Sequence, residues 1–205
     1  MTSINAVHLE TPDPTAAEAF YGETFGVTSL VQPRRSDVPS TGFRGFTLSL
    51  IVKQPASVDA FVNAAVRAGA SELKPAKKQL WGGYSGVLQT PDGVIWKIAT
   101  EAKRGHGPAS REIDRVVLLL GATDVKASKQ FYVEHGLSVA KSYGGKYVEF
   151  EAAPGAVKLG LYKRGALAKD ANVPPEGSGS HRIAICSDLG AFQDPDGFVW
   201  ERAAA

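Results

Sequence analysis

Two eight-residue motifs in this chain end in side chains of opposite charge. The segment 90–97 (TPDGVIWK) returns 104 positions later, counted from Pro91 to Pro195, as the segment 194–201 (DPDGFVWE). A carboxylate at the end of a buried strand, such as that of Glu201, can bind a metal ion or accept a proton, whereas the ammonium group of Lys97 cannot bind a metal. The difference between Lys97 and Glu201 therefore bears directly on function.

Glu201 is the first catalytic candidate. If Trp200 packs against a helix layer, strand alternation turns Glu201 toward the opposite face of the sheet. A buried carboxylate without a partner is costly, and the sequence offers Arg115, Arg182, His181 or a bound ligand as its partner. A structural ion pair and a catalytic role both remain open, with His181 as the second catalytic candidate.

Three more titratable residues are predicted to bind a ligand. In the strand predicted over residues 4–10, the apolar side chains at positions 7 and 9 suit the helix side, which leaves His8 and Glu10 facing a cavity. His8 would then act as a proton shuttle or hydrogen-bond donor, unless Glu10 or the backbone satisfies its imidazole. Lys97 would face the cavity of the first repeat, where a pair with Glu10 would leave it without a chemical role.

Aromatic residues form the remaining group of ligand-binding candidates. Trp81 and Tyr84 lie in a glycine-rich segment that enters a strand, where they can stack on a planar ligand, although ordinary packing also explains them. Tyr147 offers the same surface in the second repeat. Trp96 and Trp200 follow equivalent turns and are predicted to belong to the core.

A second repeat organises the whole chain. The segment 13–21 (DPTAAEAFY) returns 111 positions later, counted from Phe20 to Phe131, as the segment 124–132 (DVKASKQFY). Two motifs that repeat in the same order indicate two homologous halves. Because the polar stretch 101–108 is typical of a linker, we predict half 1 over residues 1–107 and half 2 over residues 108–205.

Each half begins with a predicted strand, over residues 4–10 and 113–120, and continues with a helix. Acidic N-caps and glycine stops mark the ends of these helices. They are Asp13 and Gly26 in half 1, and Asp124 and Gly136 in half 2. Half 1 then repeats the pattern with a strand over 46–52 and a helix over about 58–68, for which Ser57 is the predicted cap.

Half 2 is shorter than half 1. Only the residues 186–193 separate the strand around 183–185 from the second motif, which is too few for the helix found at the equivalent place in half 1. The surface that this helix would cover is left open or closed by another element, and a second copy of the chain could dock there to form a homodimer. The segment 164–180, rich in Pro and Gly, is predicted to be a long loop that acts as a lid or a substitute cover, or stays disordered.

Composition excludes several classes of protein. A chain of 205 residues that is 43% hydrophobic can bury a core. Its 23 basic and 21 acidic residues nearly cancel, which argues against a nucleic-acid partner. No leader pattern and no apolar run of membrane-spanning length is present, so we expect a cytoplasmic protein. The single cysteine, Cys186, lies in an apolar run and is predicted to be a buried structural thiol.

The ordered set of motifs resembles the glyoxalase, bleomycin-resistance and dioxygenase superfamily, also called vicinal oxygen chelate (VOC) proteins. The resemblance rests on Phe20-Tyr21, Phe131-Tyr132 and the segment 194–201, and it covers nearly the whole chain. It implies an α+β fold of tandem βαβββ modules in two homologous halves, the second shortened, with curved sheets around a cavity. In the enzymes it further implies a divalent metal, bound by His on the first strand of modules and by Glu four residues after the last Gly.

Carried over to this chain, the metal site of the family is incomplete. Glu201 fills the Glu position of half 2, but Lys97 stands there in half 1. The His positions fall on Ala6 in half 1, on Arg115 or Val117 in half 2, and on Arg182, next to His181, in the last unit. Since a catalytic metal site needs about three protein ligands, we predict no cofactor, with a divalent metal as the less favoured alternative.

The residues and the resemblance together support three hypotheses. The first is a protein of the bleomycin-resistance kind that binds a small organic molecule in an aromatic-lined cavity without the usual metal. The second is a metal-dependent lyase, isomerase or dioxygenase that uses Glu201 with His181 or His8. The third is a partner-binding scaffold whose cavity is filled.

Overall fold

A computed structural model describes residues 3–80, 82–105 and 107–203. Its helices are α1 (Pro14–Thr24), α2 (Pro55–Arg67), α3 (Val125–Glu134) and α4 (Arg164–Ala171). The strands of half 1 are β1 (Ile4–Thr11), β2 (Val31–Arg35), β3 (Ser40–Gly42), β4 (Phe46–Val52), β5 (Ser71–Lys78), β6 (Tyr84–Gln89) and β7 (Ile95–Thr100). Those of half 2 are β8 (Ile113–Ala122), β9 (Val139–Ser142), β10 (Tyr147–Phe150), β11 (Lys158–Lys163), β12 (Gly177–Gly179), β13 (Ile183–Ser187), β14 (Phe192–Gln193) and β15 (Val199–Arg202). No helix in these described ranges is long and apolar enough to cross a membrane.

Apart from α4 and β12, the elements fall into four successive units. The two central units, β4-α2-β5-β6-β7 and β8-α3-β9-β10-β11, are complete βαβββ modules. The first unit, β1-α1-β2-β3, and the last, β13-β14-β15, are shortened versions of them. The predicted α+β fold of tandem βαβββ modules in two homologous halves is therefore confirmed. The predicted boundary between residues 107 and 108 lies in the connection from β7 to β8 and stays a prediction.

Both large sheets are shared between the halves. The strand order is β5-β6-β7-β4-β8-β11-β10-β9 in the eight-stranded sheet and β14-β15-β13-β1-β2 in the five-stranded sheet. An antiparallel pair joins the halves inside each sheet, β4 with β8 and β1 with β13. The strands that end the two repeated motifs lie in equivalent places, because β7 is parallel to β4 and β15 is parallel to β13. Lys97 is thus paired with Ser49, as Glu201 is with Cys186.

The helix boundaries follow from local chemistry, with one exception. The side chain of Asp13 accepts a hydrogen bond from Ala16 N, and that of Asp124 accepts from the backbone amides that follow it, as predicted. Gly26 and Gly136 both have positive φ, which ends the helices at little cost for glycine. The predicted cap at Ser57 is wrong. Helix α2 starts earlier, at Pro55, since proline suits the first helical turn.

The two repeated motifs of each half pack on each other. The hydroxyl of Tyr21 in α1 donates to the carboxylate of Asp92 in the 91–93 turn, at 2.7 Å. In half 2 the hydroxyl of buried Tyr132 donates to Asp194. Trp96 and Trp200 lie beside these tyrosines in the core, as predicted, with ring centroids 5.7 and 5.4 Å from them. Each half therefore makes a contact from helix to turn, with Asp92 as the acceptor in half 1 and Asp194, the counterpart of Thr90, in half 2.

Half 2 is shortened where the sequence predicts. The described chain between β13 and β14 forms a turn instead of a helix. Phe192 of β14 stacks on Trp200 at 5.2 Å between ring centroids, and Trp200 is only 1% exposed. Another element therefore closes the surface that the missing helix would cover. A homodimer stays a prediction.

The loop predicted over residues 164–180 is instead largely ordered as helix and strand. Residues 164–171 form α4, and β12 pairs antiparallel with β3 of half 1. The Pro and Gly residues that suggested a loop begin only after α4, apart from Gly165. The apolar residues of α4 are buried in a cluster with Phe43, Val87 and Ile95 of half 1. They are Leu167, Ala168 and Ala171.

Replacing Tyr132 by Phe is expected to destabilise the protein by about 1–3 kcal/mol. Asp194 keeps its bonds from Phe198 N and Asp196 N to the other carboxylate oxygen, but the oxygen facing Tyr132 loses its donor in a buried site. Urea unfolding would measure the change. Tyr143→Phe is the matched control, because Tyr143 is 64% exposed. Equal stability of the two variants would contradict a structural role for the Tyr132–Asp194 bond.

Candidate functional site

One face of the five-stranded sheet gathers several of the predicted site residues. The opposite face packs Val7, Leu9 and Ile185 into the core. Because side chains alternate along a strand, every second residue of β1, β2, β13 and β15 points away from this core. These positions carry His8, Glu10, Arg34, Cys186 and Glu201, and this surface is called the His8 face below.

Arg34 holds the His8 face together. Its Nε and Nη2 donate to Oε1 of Glu10 at 3.3 and 2.7 Å, and its Nη1 donates to both carboxylate oxygens of Glu201 at 2.8 and 2.9 Å. The first pair follows from register, since Arg34 lies opposite Glu10 in the parallel pairing of β2 with β1. One guanidinium thus bridges carboxylates from both halves of the chain.

These contacts set the protonation of the site. Burial raises the pKa of Glu201, but the hydrogen bonds from Arg34 and His8 outweigh it and leave the pKa below the ordinary value. Burial lowers the pKa of Arg34, and its bonds to Glu10 and Glu201 reverse this, so the net pKa is raised. At neutral pH Glu201 is therefore a carboxylate and Arg34 a guanidinium.

His8 and Cys186 complete the His8 face. Nδ1 of His8 lies 3.1 Å from Oε2 of Glu201 and 3.4 Å from Nη1 of Arg34. The prediction that Cys186 is buried is wrong. Its thiol is partly exposed, because Ile185 and Ser187 take the core side of β13 and Cys186 alternates to the other face. Burial, reinforced by the negative charge of Glu201, raises the pKa of this thiol.

His8, Cys186 and Glu201 are the donor set to test against a metal ion. One donor atom from each lies within 4.8 Å of the other two. The guanidinium of Arg34, however, already binds both oxygens of Glu201 and approaches the same nitrogen of His8. A divalent cation bound to these atoms would sit against a positive charge, so the residues do not fit the metal that the family implies.

A cavity of about 360 Å³ adjoins the His8 face at Glu10 and Arg34. The described residues around it include no Trp and no Tyr. Its other walls come from the chain before β13, from β13 itself, from β14 and from the second motif. They are Gly179, Ser180, His181, Ile183, Gln193, Gly197 and Val199.

The corresponding face of the eight-stranded sheet is covered. The predicted pair of Lys97 with Glu10 is not formed. Lys97 instead forms an ion pair with Asp170 of α4, with 2.8 Å between Nζ and Oδ2. Lys74 donates to the carbonyl oxygens of Lys169 and Asp170 at the carboxyl end of the same helix. Cations there are favoured by the helix dipole. A glutamate at position 97 would instead face a carboxylate and that negative helix end.

Both ring nitrogens of His181 lie close to backbone carbonyl oxygens. Its Nδ1 lies 2.5 Å from the carbonyl oxygen of Arg44, its Nε2 lies 3.1 Å from that of Asp196, and its ring stacks on Phe198. The structure gives no direct contact between the described side chains of His181 and Glu201. His181 thus lines the cavity while its ring nitrogens join three segments of the chain, and its catalytic role stays a prediction.

The predicted aromatic wall is dispersed over the molecule. The hydroxyl of Tyr84 donates to Asp59 of α2 at 2.8 Å, so this ring lies on the helix side of its sheet. Tyr147 lies on the eight-stranded sheet, where its hydroxyl donates to Glu149 at 2.9 Å and burial raises its pKa. Trp81 lies outside the described residues.

Arg34 is the site residue that sequence reasoning missed. The family motifs place no ligand on the second strand, and no strand was predicted over residues 31–35. The available signal was the alternation in Gln32-Pro33-Arg34-Arg35, which gives one arginine to each face. Its partner could not be read from the sequence, because the register of β2 against β1 depends on tertiary structure.

The variant Lys97→Glu, which restores the residue type of the second motif, is expected to lower the free energy of unfolding by about 1–2 kcal/mol. It replaces an ion pair by repulsion from Asp170 and the end of α4. Lys97→Met should cost less than about 1 kcal/mol, since only the pair is lost. Urea unfolding would compare both with Lys78→Glu on the exposed strand β5. A Lys97→Glu protein as stable as the wild type would contradict this account.

Glu201→Gln is expected to lower the melting temperature near neutral pH and to reduce its acid dependence. The folded-state pKa of Glu201 is lowered, so its stabilisation is fully present above the ordinary carboxyl pKa of about 4.3 and is lost as the pH falls through the folded value. The gap between wild type and variant should therefore narrow as the pH falls below about 4.3. Thermal melts between neutral and acidic pH would measure it, and a constant gap would contradict the ion pair.

Comparisons with known proteins address the fold. No protein-family model and no curated protein sequence matches the chain. Glyoxalase I from Zea mays superposes with a TM-score of 0.63 at 14% identity, over 98% of this chain and 91% of that one. A glyoxalase/bleomycin resistance protein/dioxygenase family enzyme from Burkholderia phytofirmans matches 49% of this chain and 99% of its own, at 20% identity and a TM-score of 0.41. Over nearly its whole length, the chain therefore has the glyoxalase fold, the fold of the superfamily that its repeated motifs resemble.

Proposed function

We propose that this chain binds a small organic molecule at the His8 face without a metal ion. The observation that carries the proposal is the position of Arg34, whose guanidinium bridges Glu10 and Glu201. These carboxylates have their positive partner from the protein itself. A metal is then not needed to make the buried charges tolerable.

The proposed location of the ligand follows from a comparison of the surface around Lys97 with the His8 face. On the eight-stranded sheet, α4 covers the surface around Lys97. On the five-stranded sheet, the side chain of His8 is 22% exposed and that of Glu201 is 32% exposed, and a cavity of about 360 Å³ adjoins their neighbours Glu10 and Arg34. The open face is the one with room for a ligand.

The chemistry of the face favours a neutral or cationic ligand. Glu10, Glu201 and Arg34 together carry a net charge of minus one when His8 is neutral. An anion would meet this charge, whereas hydroxyl, amide or amine groups can donate to Glu10 and to the amide oxygen of Gln193. We therefore propose a polar ligand in place of the planar aromatic one expected from the sequence.

The second hypothesis, a metal-dependent lyase, isomerase or dioxygenase, is favoured by one contact. His8 touches Glu201, so two of the residues named for that hypothesis do meet. For a metal to join them, however, Arg34 would have to release both oxygens of Glu201. The metal-free proposal requires no such rearrangement.

Metal binding is expected only when Arg34 is removed. In equilibrium dialysis against Zn²⁺, Ni²⁺, Mn²⁺ or Fe²⁺, the wild type should retain no stoichiometric ion. Arg34→Ala should retain Zn²⁺ through His8, Cys186 and Glu201, and Arg34→Ala combined with Glu201→Ala should lose it again. One ion per wild-type chain, lost in Glu201→Ala, would contradict the metal-free proposal. Native mass spectrometry of the purified protein would identify a retained organic ligand.

A further inference from the structure

A second cavity, of about 450 Å³, lies between helix α1, the carboxyl end of α2 and the turn of the first repeated motif. It shares no lining residue with the cavity beside the His8 face. Its volume is in the range of small-molecule binding sites. This α1 cavity has an apolar lining that consists of Ala16, Ala17, Phe20, Ala68 and Pro91.

Three acidic side chains border the α1 cavity, those of Asp13, Glu23 and Asp92. None of the described residues that line it is basic, and none of the three acidic side chains takes part in an ion pair in the described part of the chain. Arg44 is close to Asp92, but its Nη2 donates to the backbone carbonyl oxygen of that residue. The surroundings of the cavity therefore favour a cationic ligand over an anionic one.

Half 2 shows which donors an aspartate in this turn binds when no cavity is present. Asp196 is the counterpart of Asp92 in the second motif. Its Oδ1 accepts a hydrogen bond from the backbone amide of Thr123 at 2.7 Å, and its Oδ2 accepts one from the hydroxyl of Ser128 on α3 at 2.8 Å. The turn of half 2 is thus bonded directly to the start of its helix.

Half 1 lacks both of these donors. At the offset of 111 residues that relates α3 to α1, Thr123 corresponds to Pro12 and Ser128 to Ala17. Proline has no N–H group and alanine has no hydroxyl group, so neither can donate to the turn. Ala17 lines the α1 cavity, and so does Ala68 at the end of α2, the helix that the last unit does not have. The cavity therefore lies where half 2 has its donors.

Asp92 can still accept from a ligand. Its Oδ2 accepts from the hydroxyl of Tyr21 at 2.7 Å, and its Oδ1 accepts from the hydroxyl of Thr90. The two oxygens of an aspartate side chain together offer about four lone-pair positions, so one bond to each does not saturate them. Asp92 is only partly buried, which leaves it within reach of a molecule in the cavity.

We propose that the α1 cavity binds a small primary amine, in its ammonium form, that carries a short apolar group. The ammonium group donates to Asp92, where the donors of half 2 would lie, and the apolar group packs on Phe20 and Pro91. Asp13 and Glu23 add acidic groups at the rim. The site is separate from the His8 face, so this inference goes beyond the proposed function and does not depend on it.

Titration with 2-phenylethylamine, followed by proton–nitrogen-15 NMR, tests the site. This amine is a cation near neutral pH, like the side chain of lysine. The backbone amide signals of Ala16, Ala17 and Gly93 should shift and saturate. 2-Phenylethanol has nearly the same shape but no charge, and it should bind about tenfold more weakly, because it cannot form a charged hydrogen bond. Equal affinity of the amine and the alcohol, or no saturable shift of these amides, would overturn the proposal.

Replacing Asp92 by Asn tests the acidic partner of the ammonium group. The variant keeps an acceptor oxygen for Tyr21 and should weaken binding of 2-phenylethylamine by about tenfold or more. Glu18→Gln is the control for net charge, since Glu18 is exposed on the same helix and does not line the cavity. Equal loss of affinity in both variants would show a general charge effect and would contradict a bond to Asp92.

Replacing Ala16 by Leu tests the cavity itself and does not touch the buried turn. Ala16 is exposed on α1 and lines the cavity, so the larger side chain should occupy the volume and weaken binding of the amine by about tenfold. Ala19→Leu is the matched control, because Ala19 is exposed on the same helix outside the cavity. Unchanged affinity in a folded Ala16→Leu protein would overturn the site.

The same spectra separate this inference from the proposed function. Amide signals around Glu10 and Ser180 report on the cavity beside the His8 face. If 2-phenylethylamine shifts only those signals, the α1 cavity is not its site and this inference is overturned, while binding beside the His8 face stands. If it shifts only the signals of Ala16, Ala17 and Gly93, this inference stands whatever the outcome at the His8 face.

Discussion

Two antiparallel strand pairs, β4 with β8 and β1 with β13, determine which side chains of this chain can meet. Each pair joins the halves inside a sheet, so each sheet contains the end of one repeated motif. The same topology pairs Lys97 with Ser49, and Glu201 with Cys186, on neighbouring strands. A difference of one residue between two copies of a motif thus becomes a difference between two whole faces of the molecule.

The surroundings of Lys97 and of Glu201 differ in how far they are covered by other elements. Around Lys97, α4 fills the surface with Leu167, Ala168 and Ala171, and its carboxyl end draws the ammonium groups of Lys74 and Lys97. Around Glu201, no helix covers the sheet in the described part of the chain, and ionisable groups remain partly exposed. Lysine suits the covered face, because a carboxylate there would face the negative end of α4. The open face keeps His8, Cys186 and Glu201 partly exposed.

The sequence predicts most of the fold because repetition and helix ends are local signals. Asp13, Asp124, Gly26 and Gly136 mark helix ends through contacts within a few residues, and the repeated motifs gave two halves. The site was harder, because its contacts join distant strands. His8, Glu10 and Glu201 were named from alternation, but Arg34 needed the register of β2 on β1. Helix α4 was missed because the Pro and Gly residues after it obscured its short apolar pattern.

Arg34 limits the chemistry that the His8 face can perform. A divalent ion could bind the carboxylate of Glu201 and a substrate oxygen at once, and polarise the substrate as a Lewis acid. The guanidinium of Arg34 donates its N–H groups to Glu10 and Glu201 and keeps its charge at any physiological pH. It can orient carboxylates and donate a hydrogen bond, but it neither activates a water molecule nor changes oxidation state. With Arg34 in place, the reactive groups left on this face are the imidazole of His8 and the partly exposed thiol of Cys186.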